Sequence, residues 1–132
     1  MTEWNGWGFD RAVLAFSALM YTGIWMQVSL FHWAGGFKKL PMWVPVLTTP
    51  LIVGGALAGV ATREGIWGWV AVVLLGLGVA DGLVGIYYHV RGIAYQIGGV
   101  STRNLLSGPP PVLPLAYALV GLLGMGALLW NA

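Results

Sequence analysis

His32 and His89 are the only histidines in this chain. Each closes a long apolar run, LMYTGIWMQVSLFHW in one case and LLGLGVADGLVGIYYHV in the other. Imidazole is an axial ligand for haem iron. Two imidazoles at one level on two helices can hold a flat macrocycle such as haem b. With no further histidine, one haem is the most the chain can ligate, so a wire of two haems across a membrane is excluded. The chain has no cysteine, which removes disulfides, thiolate metal sites and iron–sulfur ligation.

The residues around this pair extend the reading. Gly78, Gly82, Gly85, His89 and Gly92 follow one another at steps of four, three, four and three. At about 100° per residue they share one helix face. Such a stripe serves close helix packing or leaves room for a macrocycle, with Gly82 and Gly85 lining it. His32 shares its own face with Ser29, Trp25 and Tyr21. Asp81 is the one acid inside an apolar run, and a carboxylate in a membrane is costly and commonly functional. Gln27 or a helix carbonyl is its expected hydrogen-bond partner. Tyr88 lies seven residues on, so Asp81 and Tyr88 can carry protons to a quinone. Lys38, Lys39, Arg91 and Arg103 stand just beyond the histidines as counter-charges for propionates.

The elements that position these groups follow from composition. The 132 residues are 58% hydrophobic and 8% charged, with a mean hydropathy of +0.81. A soluble domain carries roughly 25% charged residues, so lipid is the expected solvent. A span needs about 20 residues. Four apolar runs meet that need, over about 11–33, 42–61, 66–90 and 111–130. They show no two-residue alternation, which argues against a β-barrel. The expected fold is an all-α membrane protein, a bundle of four transmembrane helices in one integral domain over 1–132. Pro50 is expected to kink the second helix or to mark its true start. The first run follows a tail with no basic stretch and no cleavage site, and is expected to stay as a signal anchor.

Loop one carries Lys38 and Lys39 and no acid, and the long loop of about 91–110 carries Arg91 and Arg103 and no acid. Arg11 and Arg63 on the other side are offset by Glu3, Asp10 and Glu64. The positive-inside rule then places loops one and three in the cytoplasm and both termini outside, in a prokaryotic inner membrane. Trp4, Trp7, Trp33, Trp43, Trp67, Trp69 and Trp130 fall near span ends, as interfacial anchors do. Trp25 alone lies deep in a span.

No nucleotide fingerprint, metalloprotease HExxH or GxSxG elbow is present, and a net charge of +2 does not suggest nucleic acid. The plan of four helices with one histidine pair resembles, in architecture and without a motif match, the membrane anchor subunits of respiratory complexes. That resemblance implies a non-catalytic anchor in an electron-transport complex, binding haem b or quinone near the cytoplasmic face between the first and third helices, with lipid and other subunits or its own copies as partners. Two alternatives stand beside it. One is a cofactor-free structural or assembly subunit packed through its glycine faces. The other is a small oligomeric transporter or channel using Asp81.

Overall fold

The computed structural model describes residues 1–130 and is all-helical. In chain order the α-helices are α1 (Phe9–Ala34), α2 (Val44–Ala61), α3 (Gly65–Gly92), the short α4 (Thr102–Ser107) and α5 (Val112–Leu129). A 3-10 turn (Leu40–Trp43) leads into α2, and a π turn (Ile93–Ile97) extends α3. Four of these helices are long and apolar enough to cross a membrane. The expected spans stand, with shifted ends. α3 and its π turn form a continuous span over Gly65–Ile97 of 33 residues, about 50 Å at the helical rise, so its last turns project past a hydrocarbon core of about 30 Å. The third loop is partly helical, since Ser101 caps α4 by accepting from the Asn104 N–H.

The long helices form a ring in the order α1, α2, α3, α5, and α5 closes back on α1. α1 and α3, which carry the histidines, therefore sit diagonally. The middle of the ring is filled. Tyr21 and Tyr117 meet edge to face at 4.7 Å between centroids, and the Tyr21 hydroxyl donates to the Tyr117 carbonyl at 3.0 Å. Leu14, Ile52, Leu75 and Leu128 pack above and below them and are fully buried. Most of each span's apolar surface faces outward, including Leu19, Leu47, Val73 and Leu119. That surface suits lipid, where no hydrophobic force favours burying it in protein.

The glycine stripe of α3 is a packing seam. A Cβ on Gly82 would lie 2.7 Å from the Ala118 N and Cβ and from the Pro114 O, and one on Gly85 would lie 2.7 Å from the Pro114 Cβ. Gly78 and Gly121 leave space for the Tyr21 hydroxyl end. This corrects the expectation that Gly82 and Gly85 open a slot for a macrocycle: α5 and Tyr21 fill that face. Gly82→Ala is expected to destabilise the protein by about 1–3 kcal/mol, because the atoms it meets are mostly backbone. A melting curve in detergent indistinguishable from the parent would sink the packing argument.

Pro50 lies inside α2 and does not start it. Lacking an N–H, it cannot serve the carbonyl of Val46. The Trp25 indole N–H fills that place at 2.9 Å, which explains why one tryptophan sits deep in a span.

The opposite end of the bundle is tied by the N-terminal tail. The last carbonyls of a helix have no partner within it. At the end of α2, the Trp4 indole N–H donates to the Gly59 carbonyl at 2.7 Å and the Arg11 Nε to the Val60 carbonyl at 2.9 Å. Arg63 is buried there, donating to the Thr2 carbonyl at 2.7 Å and lying over Trp4 at 4.3 Å. Its Nη1 stands 3.7 Å from Asp10, too far for a hydrogen bond, and makes none.

The Thr62 hydroxyl, donating at 2.6 Å, and the Trp4 N–H hold the Glu3 carboxyl below its ordinary range. A depressed carboxylate pKa stabilises the fold above the unfolded value of 4.5, and that contribution is lost as pH falls through the folded value. Limited proteolysis of the tail is therefore expected to quicken on acidification below about pH 4.5 in the parent, and Glu3→Gln to flatten that dependence.

Candidate functional site

Both histidines lie at the ring's loop-one and loop-three end, in the last turns of α1 and α3. Each ring is fixed by the same device. The His32 Nδ1 is 2.6 Å from the Met42 carbonyl, and the His89 Nδ1 is 2.9 Å from the Pro110 carbonyl. A carbonyl only accepts, so Nδ1 carries a proton, and in the neutral ring the lone pair is on Nε2. That is the tautomer in which histidine ligates a metal through Nε2 while a backbone oxygen orients it.

Prolines make these carbonyls available. Pro45 has no N–H to return to Met42 O in a 3-10 turn, and Pro114 has none to return to Pro110 O in the first turn of α5. Pro45 and Pro114 are thus positioning residues that the sequence reading left unassigned. Their offsets of three and four residues from a carbonyl are visible in the chain, but the ring that takes the carbonyl is not.

Loop one holds His32 from the other side. Phe37 adopts a left-handed conformation, φ 47°, uncommon for a bulky residue. Its ring stacks on Trp43 at 4.0 Å and meets His32 edge to face at 6.3 Å, and its N–H donates to the His32 carbonyl at 3.0 Å. One turn before His32, the Ser29 hydroxyl is buried with no hydrogen-bond partner. A buried polar group in that state calls for an additional partner. No group of three or more His, Cys, Asp or Glu side chains that could hold a metal ion exists among the described residues.

Asp81 is placed deeper and is paired differently from expectation. The Thr48 hydroxyl lies 2.6 Å from Asp81 Oδ2 and 2.8 Å from the Val44 carbonyl. One hydroxyl has one proton. A neutral Asp81 satisfies both contacts, donating to Thr48 while Thr48 donates to Val44. Gln27 is exposed, away from this pair. Next to Thr48, Thr49 donates to the Pro45 carbonyl, and its Oγ1 is 2.7 Å from the Tyr117 hydroxyl. Threonines in α2 bonding their own preceding turn are ordinary in membrane helices, which is why Thr48 and Thr49 gave no clue in the sequence.

Tyr88 lies on the Asp81 face of α3, nearer the loops, in a cleft of about 390 Å³. Lys39, Arg91, Gly92, Tyr95 and Gln96 line the same cleft. Lys38 and Arg103 are exposed outside it.

Fold and site together define an all-helical protein with four helices long and apolar enough to cross a membrane and, at one end, two imidazoles each hydrogen-bonded to a backbone carbonyl. No protein family, curated protein or solved structure matches the chain.

Proposed function

We propose that this protein is a small integral membrane subunit of a redox complex, and that His32 and His89 are the axial ligands of one haem b at the end carrying loops one and three. The observation that carries the reading is the same hydrogen bond on each ring, which donates from Nδ1 to a carbonyl that a proline leaves free and keeps Nε2 for a ligand. The unpartnered Ser29 hydroxyl beside His32 adds a polar group for the same ligand. A bound haem would supply one-electron transfer, and with one haem on one side the electron passes to a quinone or a neighbouring subunit. Asp81 with Thr48, and Tyr88 nearer the loops, are placed to hold and move protons for a quinone, while Gln27 faces outward. The basic loops supply counter-charge for the propionates. By the positive-inside rule these loops are cytoplasmic and both termini lie across the membrane, in a prokaryotic inner membrane. The absorbance spectrum of purified protein tests the reading: a Soret band with a low-spin bis-imidazole signature is expected, and its absence from protein grown with ample haem removes the proposal.

One observation favours a second reading, a cofactor-free assembly subunit. Gly55, Gly59, Gly82, Gly121 and Gly124 all face close neighbours on other helices, while Gly23, Gly54 and Gly126 have open space beside them that a partner helix could fill. Protein that stays stably folded without pigment supports this reading.

A further inference from the structure

We infer that the cleft between loop one and the end of α3 is a binding site for the phosphate headgroup of an anionic phospholipid. Lys39 from loop one and Arg91 from α3 converge on it, with Tyr88 and Tyr95 as walls. Neither cation has an acidic partner: the single ion pair among the described residues joins Arg63 and Asp10 at the other end. The nearest acid in sequence on α3, Asp81, lies ten residues before Arg91, about 15 Å along the axis. Arg91 gives one N–H to the Tyr87 hydroxyl at 3.1 Å and keeps four more donors for a phosphate.

Two cations without acidic partners converging on one cleft favour an anion there. The position, at the end of a membrane span, chooses its source. A second cleft, of about 570 Å³, shares Arg91 and Tyr95 and is lined otherwise by Ile86, Tyr87, Val90 and Ala94. From Arg91 its wall runs back along α3 through Val90 and Tyr87 to Ile86, about 7.5 Å, and suits the first carbons of an acyl chain attached to a phosphate held at Arg91. Basic pockets at the ends of membrane helices bind anionic lipid heads in this way. The assignment does not rest on haem. It gives Lys39 and Arg91 to lipid and leaves Lys38 and Arg103 for propionates, so the two proposals fail separately.

The test is thermal unfolding in a neutral detergent with added phosphatidylglycerol, phosphatidylcholine or inorganic phosphate. Phosphatidylglycerol is expected to raise the melting temperature saturably, and the other two to leave it in place. The double variant K39Q/R91Q should need about tenfold more phosphatidylglycerol, or more, for half its effect, while K38Q/R103Q, with the same charge removed outside the cleft, should stay within about twofold. If K39Q/R91Q does not melt cooperatively, native mass spectrometry of its folded fraction should show the copurified anionic lipid of the parent lost. Equal responses to the two lipids, or equal losses in the two double variants, would overturn the site. A response to inorganic phosphate alone would reassign it to a soluble anion and overturn the lipid assignment.

Discussion

His89→Ala is expected to abolish the bis-imidazole spectrum and to lower haem content at least tenfold, and His32→Ala to do the same. A single remaining imidazole gives a five-coordinate or adventitious haem with a different spectrum, so each variant reports on its own ligand. Neither ring fills the helix core, and both α1 and α3 retain their other contacts. Pro114→Ala is the more searching variant. Alanine keeps the Cβ that packs on Gly85, but it restores an N–H to compete with His89 for the Pro110 carbonyl. Loss of an orienting partner of a ligand costs about 10–100-fold in metal affinity, and a weakening in that range is expected with helicity unchanged. Parent-like spectra in both histidine variants would remove the pair from any cofactor role.

Arg63→Ala is expected to lower stability by about 2–4 kcal/mol, below the figure for a fully buried pair because Asp10 keeps some water. Arg63 is 6% exposed and touches the Thr2 carbonyl, the Trp4 ring and the Asp10 carboxylate at once. Its removal leaves Asp10 without its cation and takes away one of the ties between the tail and the end of α2. Arg63→Lys retains charge without the flat guanidinium and should recover about half of the loss. A change in Arg63→Ala under about 0.5 kcal/mol would show the tail to be a passive surface segment.

The spans were legible because a run of some twenty apolar residues has few alternatives, and the shared level of His32 and His89 followed from counting crossings. Which helices touch was not legible. The stripe at Gly78, Gly82 and Gly85 states that something comes close, but a glycine has no side chain to say what. α5 came close, through Pro114 and Ala118, and α1 and α3 took opposite corners. The partner of Asp81 was equally hidden. Gln27 is the more obvious donor by type, yet Thr48 on the neighbouring helix is the one within reach. Backbone oxygens are harder still, since every residue but its neighbours looks alike in this respect. Met42 and Pro110 matter for their carbonyls, and only a proline three or four residues later marks them.

The capped carbonyls share an order along the chain. Trp25 serves Val46, His32 serves Met42, His89 serves Pro110, Trp4 serves Gly59 and Arg11 serves Val60. In each of these five the donor precedes the acceptor, and Arg63, which serves the Thr2 carbonyl of the tail, runs the other way. A bare carbonyl in hydrocarbon is costly, and a segment synthesised from its N-terminus meets each such oxygen only after its donor has been made. α2 and α5 can therefore enter the membrane beside helices already carrying the groups they need. A circular permutant that starts at α2 would make the Val46 oxygen before Trp25, and is expected to insert less efficiently than the parent order.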